Sequence, residues 1–284
     1  MPPGAWDCHT HVFGRPDKYG LSPTRRYTPG LAEHDDLARM LDHMGIDRVV
    51  LVQPSPYGGD HACLADALAA LGQRAVAVGC FPPGERMADG AIERLGRAGM
   101  RGLRVQATLL SADETRAAVL AAAAQAAELG WHLELHVDRL QFPLLRQHAA
   151  RLGVPIVLDH MAHLGPGDLP ALAALMEEAE IYTKISGLYR LSNPREALAT
   201  AQAIATRFPQ RCLWGSDWPH TPPHPVWQGA PPPPSPFRPV DAGALFDTFF
   251  SGIDAALRHM ILCEVPARLY GGNVGSKAVE GAGR

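Results

Sequence analysis

Histidine and aspartate residues stand at the ends of short apolar segments in this 284-residue sequence. The first of them, His9 and His11, are two residues apart and therefore point to the same face of a strand. Two imidazoles on one face can bind one metal ion, but they can equally be hydrogen-bonded histidines of a core. The H-x-H pair alone leaves both interpretations open.

Three later segments also end in residues that bind metals. Their apolar runs end in His136, in His160 and in Asp217. Burying several imidazoles without a ligand or a partner would be costly. Imidazole and carboxylate groups suit Zn²⁺, and also Mn²⁺ or Fe²⁺. We therefore expect a functional cluster with one divalent metal, Zn²⁺ first and Mn²⁺ second, although metal-free operation stays open. The expected ligands are His9, His11, His136, His160 and Asp217.

Eight apolar or β-branched runs must position these residues. The predicted strands are Asp7–Phe13, Arg48–Gln53, Ala75–Phe81, Gly102–Thr108, His132–Val137, Pro155–His160, Ile181–Ser186 and Cys212–Asp217. Since they alternate with helical stretches, the pattern predicts a single (β/α)₈ TIM barrel, with its site at the C-terminal ends of the strands. An open doubly wound sheet is the alternative, but no glycine-rich phosphate turn follows the first strand.

The predicted helices are rich in Ala, Leu and Arg at helical spacing. They are Asp35–Met44, His61–Leu71, Met87–Ala98, Ala112–Leu129, Leu140–Leu152, Leu169–Glu178 and Pro194–Phe208, with Leu245–Leu262 as the closing helix. Several end just before a glycine, which favours helix termination. We expect residues 1–271 to form one barrel domain and residues 272–284 to form a flexible tail.

Two segments depart from the β/α repeat. Gly14–Gly30 is long and polar, and Thr221–Pro239 is rich in proline. Proline-rich sequence is stiff and does not pair as a central strand. Because both segments follow the C-terminal ends of strands, we expect them to lie over the barrel mouth.

Composition and charge argue against several classes of partner. A net charge of -3 and a pI near 6.5 do not suggest nucleic acid or an anionic membrane. We find no apolar run of transmembrane length and no signal-peptide pattern. The five scattered cysteines are typical of buried free thiols in a reducing cytoplasm. The expectation is a cytoplasmic protein that binds a small molecule, and a homo-oligomer is compatible with the sequence.

The motifs resemble those of the amidohydrolase superfamily, in order along nearly the whole chain. The resemblance covers the H-x-H pair, His136, His160 and Asp217. Its most specific part is Leu213–His220, which is similar to 2-pyrone-4,6-dicarboxylate lactonase-like hydrolases. This implies hydrolysis of a small lactone of the pyrone-dicarboxylate, muconolactone or sugar-lactone type. It also implies Asp217 as the general base and His160 as a second catalytic residue, with a metal or a cage of imidazole donors stabilising negative charge.

The resemblance also suggests residues that bind the substrate. Arg104 and Arg190 match positions that hold substrate anions in the family. The alternatives are a structural ion pair for Arg104 and a solvated loop charge for Arg190. Tyr27 could cap the site or only pack, and His220 could hold substrate or orient the general base. Tyr189, beside Arg190, completes this set.

Two departures from the lactonase pattern bear on the chemistry. His136 stands where the dicarboxylate lactonase, which is thought to work without a metal, has tyrosine, and this favours a metal here. The stretch Gln106–Leu110 lacks a second arginine that helps that enzyme hold two carboxylates. A dicarboxylate substrate is therefore in doubt. Strand four also lacks the bridging ligand of two-metal relatives, so we expect at most one metal.

Two other functions stay open at this stage. Related barrels decarboxylate aromatic or muconate-type acids at a similar site, so a metal-dependent decarboxylase is the first alternative. A non-catalytic binding barrel is the second. Nucleophilic catalysis lacks support, since we find neither a G-x-S-x-G elbow nor a Cys–His pair. Four further histidines are expected at the surface: His34, His43, His61 and His163.

Overall fold

Eight parallel strands form one sheet in the computed structural model, which describes residues 1–81, 86–191, 193–223 and 230–271. The strands are β1 (Trp6–Thr10), β2 (Arg48–Val52), β3 (Ala75–Cys80), β4 (Met100–Gln106), β5 (His132–His136), β6 (Ile156–Leu158), β7 (Ile181–Ile185) and β8 (Cys212–Trp214). Each strand pairs with the next one in sequence. The ring is completed where the segment after β8 meets β1, because the Asp217 amide donates to the His9 carbonyl at 2.9 Å and the His11 amide donates to the Trp218 carbonyl at 2.8 Å. The predicted (β/α)₈ barrel is confirmed, and the open sheet is wrong.

Helices connect the strands on the outside of the ring. They are α1 (His34–Met44), α2 (Ala62–Leu71), α3 (Asp89–Ala98), α4 (Ala112–Leu129), α5 (Phe142–His148), α6 (Leu169–Glu178), α7 (Pro194–Arg207), α8 (Ala242–Phe250), α9 (Ala255–His259) and α10 (Val265–Tyr270). Their ends follow local sequence signals. In α4, for example, Ser111 and Glu114 form a capping box at the start, and Gly130 ends the helix in the left-handed conformation.

The predicted closing helix Leu245–Leu262 is interrupted, so this prediction is wrong. α8 ends at Phe250, and residues 251–254 are not helical. Gly252 packs so tightly that a Cβ there would lie 2.5 Å from Nε2 of Gln202. Asp254 then starts α9 by accepting a backbone hydrogen bond at 2.9 Å. A close contact and a capping residue therefore override the helical spacing.

Apolar side chains fill the N-terminal half of the barrel interior. They include Trp6, Cys8, Val50, Val52, Val78, Val157, Tyr182 and Leu213. Tyr270 of α10 covers this end and stacks on Trp6, with ring centroids 5.9 Å apart. Burial of each large apolar side chain contributes roughly 1.5–3 kcal/mol. The polar residues at the strand ends pack on this apolar layer.

Three predictions about the chain as a whole have different outcomes. The five cysteines are unpaired, and four are buried while Cys80 is partly exposed. Within the described ranges, every helix is too short or too polar to cross a bilayer. The predicted tail, residues 272–284, lies outside the described residues.

Candidate active site

A register shift in β1 directs the first histidines toward the barrel mouth. Between Asp7 and Thr10, β1 carries one more residue than the facing span of β2. A bulge of this kind re-aims the side chains that follow it. As a result, the consecutive residues Cys8 and His9 both face the interior. Cys8 lies in the apolar layer, and His9 Nδ1 lies 3.2 Å from Lys184 Nζ.

A left-handed turn after β6 brings two more histidines to the mouth. The four residues His160–His163 have φ between 50° and 54°. L-residues in this conformation cost roughly 1–2 kcal/mol each, and such strain clusters at functional sites. His160 Nδ1 lies 2.8 Å from Ser186 Oγ, and His163 Nε2 lies 3.0 Å from His136 Nε2. The prediction that His163 lies at the surface is wrong, since it is half-buried in a cavity wall.

Asp217 is held in one orientation at the end of the Leu213–His220 motif. Its backbone is left-handed, with φ 62°. Its Oδ2 accepts hydrogen bonds from the Tyr189 hydroxyl at 2.7 Å and from Arg190 Nε at 2.6 Å. The motif needs glycine at Gly215, because a Cβ there would lie 2.6 Å from the Cβ of His9. The end of β8 therefore packs directly on β1.

The other carboxylate oxygen of Asp217 faces imidazoles. Its Oδ1 lies 3.6 Å from Nε2 of His11 and 3.8 Å from Nε2 of His9. The rings of His9 and His160 have centroids 4.6 Å apart. Ligand atoms of His9, His160 and Asp217 all lie within 4.8 Å of one another. The structure thus brings four of the five predicted ligands together.

The unpaired atoms of this cluster fit a cation. His9 Nε2 and Asp217 Oδ1 are buried and lack a hydrogen-bond partner within the described part of the chain. His11 Nδ1 lies 2.8 Å from the Val52 carbonyl, and an N–H donated there leaves a lone pair on Nε2. Neutral imidazoles with one carboxylate form a donor set that Zn²⁺ and Mn²⁺ accept. His9, His11, His160 and Asp217 are therefore candidate metal-binding residues.

His136, the fifth predicted ligand, lies outside this tight group. Its ring centroid is 5.7 Å from that of His160, and its Nε2 faces His163. Burial, and next the charge of Arg104, hold the pKa of His136 well below its usual range. His136 and His163 therefore present a neutral, hydrogen-bonded pair of imidazoles in the cavity wall.

Four charged side chains form a network beneath the histidines. Lys184 Nζ contacts Glu134 Oε2 and lies 3.5 Å from Asp159 Oδ1, and all three residues are fully buried. Arg104 donates to Asp159 Oδ2 at 2.8 Å and lies 3.5 Å from Glu134. Two basic side chains thus lie against two acidic ones, where a buried charge without a partner would be costly. Asp159 Oδ1 also lies 3.2 Å from His9 Nδ1, so the network orients that ring.

Burial and nearby charges together set the ionisation of Asp217 and His9. Burial opposes ionisation of Asp217, but the Arg190 guanidinium and the His160 ring hold its pKa well below the usual range. Burial, and next the Lys184 ammonium, lower the pKa of His9 to about 3. At neutral pH Asp217 is therefore a carboxylate and the His9 ring is uncharged, which is the state that metal binding requires.

A cavity of about 450 Å³ opens above the cluster. Arg26 and Tyr27 come to its wall from the first polar loop, and Thr221 and Arg238 come from the proline-rich loop. The Ser235 amide joins the two loops by donating to the Thr28 carbonyl at 2.9 Å. The prediction that both loops lie over the mouth is confirmed for their described parts, which leave out residues 224–229.

The predicted substrate-binding residues are placed in different ways. Arg104, Arg190 and Tyr27 line the cavity. Arg104 is at the same time a member of the buried charge network. Tyr189 contacts the site through its bond to Asp217. His220 is buried against the Tyr189 ring, with centroids 5.3 Å apart, and faces a separate pocket between α1 and α8.

Sequence reasoning missed several residues that build the site. Glu134 and Lys184 interrupt apolar strands, and an isolated charge in a barrel strand is a signal that could have revealed them. Asp159 directly precedes His160, and the local pattern of apolar residues does not mark it as a separate site residue. His61, predicted at the surface, is buried beside β3. Arg26 and Arg238 carry no such signal, because loop paths decide their position.

Comparison with known proteins agrees with this architecture. The family model described as Amidohydrolase matches residues 6–272. The chain is 30% identical over 243 residues to a 2-pyrone-4,6-dicarboxylate hydrolase from Comamonas testosteroni, covering 78% of each chain. It is 29% identical over 284 residues to a 4-sulfomuconolactone hydrolase from Rhizobium radiobacter, covering 95% of this chain and 91% of that one. A crystal structure from Agrobacterium tumefaciens matches with a TM-score of 0.78 at 23% identity, covering 96% and 97% of the two chains. The chain therefore belongs to the amidohydrolase family.

Proposed function

We propose that this protein hydrolyses a small lactone that carries an acid group, with Asp217 as the general base. The names of the two enzyme relatives support a lactone as the substrate class. The observation that carries the proposal is the asymmetric environment of Asp217. Its Oδ2 is held by Tyr189 and Arg190, while its buried Oδ1 stays open beside the imidazoles. A carboxylate oriented in this way can take a proton from water placed on its open side.

His160 has a role that depends on its tautomer. If Ser186 donates to His160 Nδ1, the ring carries its proton on Nε2 and can donate to the carbonyl oxygen as negative charge develops. If Ser186 accepts instead, Nε2 keeps a lone pair for a metal. Both arrangements stabilise the developing oxyanion, by a hydrogen bond or by supporting a cation.

We propose His9, His11, His160 and Asp217 as the ligands of one divalent ion, Zn²⁺ first and Mn²⁺ second. A bound ion would polarise the lactone carbonyl and supply positive charge beside it. His9, Glu134 and Asp159 form a second, inner set of possible ligands. The ammonium of Lys184 already contacts this inner set and occupies the position of a second ion, so we expect a single ion.

The test is hydrolysis of a lactone panel by the wild type and by Asp217→Asn. Loss of the base lowers kcat by roughly 10²–10⁴-fold. Asp35→Asn, on the exposed side of α1, is the matched control and keeps the wild-type rate. Acid release is followed with a pH indicator and product mass. Release of CO₂ would support a decarboxylase instead, and equal rates for all three proteins would remove Asp217 from the chemistry.

A further inference from the structure

Two arginines in the cavity wall carry charge that no described carboxylate balances. Arg26 and Arg238 both line the cavity, and neither forms an ion pair within the described ranges. The other two arginines of the wall differ, since Arg104 pairs with Asp159 and Arg190 with Asp217. The positive charge available to a ligand is therefore on Arg26 and Arg238.

Arg238 is fixed close to the proposed base. Its amide donates to the His220 carbonyl at 2.8 Å, and its guanidinium lies over the Tyr189 ring, 5.5 Å from the centroid. The hydroxyl of the same tyrosine donates to Asp217, so one aromatic side chain separates Arg238 from that carboxylate. The Nε of Arg238 is buried and has no partner among the described residues. A donor in this state gains most from an arriving anion.

Hydrogen bonds of neighbouring residues, rather than contacts of its own side chain, set the position of Arg26. The adjacent Arg25 donates through Nε to Thr28 Oγ1 at 2.8 Å. The Thr28 carbonyl in turn accepts from the Ser235 amide of the proline-rich loop at 2.9 Å. The loop with Arg26 is thereby joined to the loop with Arg238, while the Arg26 guanidinium stays available at the cavity. Arg238 and the loop backbone that carries Arg26 are thus positioned before a ligand binds, which reduces the entropy lost on binding.

We propose that Arg26 and Arg238 form a subsite for an acid group, a carboxylate or a sulfonate, that lies away from the lactone carbonyl of the substrate. The reacting end of that substrate rests on the proposed function. Guanidinium groups bind such oxyanions through paired N–H donors. The subsite supplies, from two loops, the anion binding that Gln106–Leu110 lacks. It determines specificity and takes no part in the bond-breaking step.

Equilibrium binding tests the subsite without turnover. Benzene-1,3-dicarboxylate and 3-sulfobenzoate serve as non-hydrolysable ring diacids, measured by calorimetry. Arg26→Gln and Arg238→Gln are each expected to weaken binding by about tenfold or more, as for the loss of one charge-assisted pair. Arg39→Gln removes an exposed charge on α1 and keeps the wild-type affinity. Arg238→Lys recovers part of the affinity, and the tighter of the two ligands identifies the acid.

Kinetics then separate the subsite from the reaction. With a lactone that carries a remote acid group, both glutamine variants raise KM by about tenfold while kcat changes little. With an uncharged lactone such as dihydrocoumarin they match Arg39→Gln, which also shows that they fold. Diacid binding that depends on the two arginines, without hydrolysis of any lactone, would keep the subsite and overturn the proposed function. Equal binding by all variants, with hydrolysis intact, would overturn the subsite alone.

Discussion

Lys184 shows how one residue can decide the chemistry of its neighbours. Its Nζ contacts Glu134 and lies 3.2 Å from His9 Nδ1 and 3.5 Å from Asp159 Oδ1. Those three residues lie close enough together to be a candidate set of metal ligands. An ammonium group in this position would fill the space of a second ion without any uptake from solution. That at most one metal binds stays a prediction, and the position of Lys184 on β7 supports it.

His61 makes the stability of the fold depend on pH. Burial holds the pKa of His61 below 6.5, its value in the unfolded chain. Below that pH the unfolded chain binds a proton that the folded protein does not, so folding stability falls as the pH falls. Replacement by glutamine removes the linkage. Between pH 7.5 and 5.5, the wild type should lose stability relative to His61→Gln by up to about 1.4 kcal/mol per pH unit.

Urea unfolding of metal-depleted wild type and His61→Gln at the two pH values gives this difference. Other buried histidines are the same in both proteins and cancel, and metal depletion removes linkage to ion binding. A difference in unfolding free energy that stays constant with pH would show that His61 keeps its ordinary pKa in the folded protein.

Residues at strand ends were predictable, while residues in loops were not. The direction of a parallel strand determines where its last side chain lies. For this reason the sequence predicts that His9, His160 and Asp217 lie close together. The Arg26 and Arg238 side chains reach the same cavity only through the path of two long loops. No periodicity in the sequence encodes that path. That Arg104 and Arg190 hold a substrate anion stays a prediction, and in the structure both guanidinium groups also pair with carboxylates, those of Asp159 and Asp217.

At the level of elements, strands and helices followed from hydrophobic spacing, and deviations from regular geometry did not. The extra residue in β1 and the left-handed turn at His160–His163 both point histidines at the site. Each of them is locally unfavourable and is stabilised by tertiary contacts, so local propensity predicts against it. The same holds for the interruption after α8, where Gly252 packs on Gln202 and Asp254 caps α9.

Gly215 tests whether the contact between β1 and the end of β8 positions the site. In Gly215→Ala the new methyl group would lie 2.6 Å from the His9 Cβ and 2.8 Å from its amide nitrogen. We expect a loss of about 1–3 kcal/mol in unfolding free energy, as for overpacking, and weaker metal binding. Gly20→Ala is the control, because a Cβ there meets no atom within 4 Å. Denaturant titration and metal titration measure both effects. If the two variants had equal unfolding free energies and equal metal affinities, the ends of β1 and β8 would be able to separate and accommodate the methyl group.

For the whole molecule, bound metal and stability should be coupled. An ion held only by the folded chain stabilises it by about 2.7 kcal/mol at a free concentration of 100 Kd. For a domain of this size that corresponds to roughly 4–5 °C in Tm. Elemental analysis combined with thermal unfolding, before and after chelation, measures the effect. His9→Asn should be insensitive to the chelator, and a wild type with the same Tm in both states would contradict the proposed ligand set.

The hydrogen bonds between β1 and the segment after β8 link the site to the stability of the whole barrel. These are the bonds of His11 and Asp217 that complete the ring, and they join the first strand to the last. A ligand that bridges His9 and Asp217 would act as a crosslink across nearly the full length of the barrel. Crosslinks that close long loops lower the entropy of the unfolded chain and hinder opening at the junction. Without a ligand the barrel would then open more easily between β1 and the segment after β8. With a bound ligand this junction would be held closed.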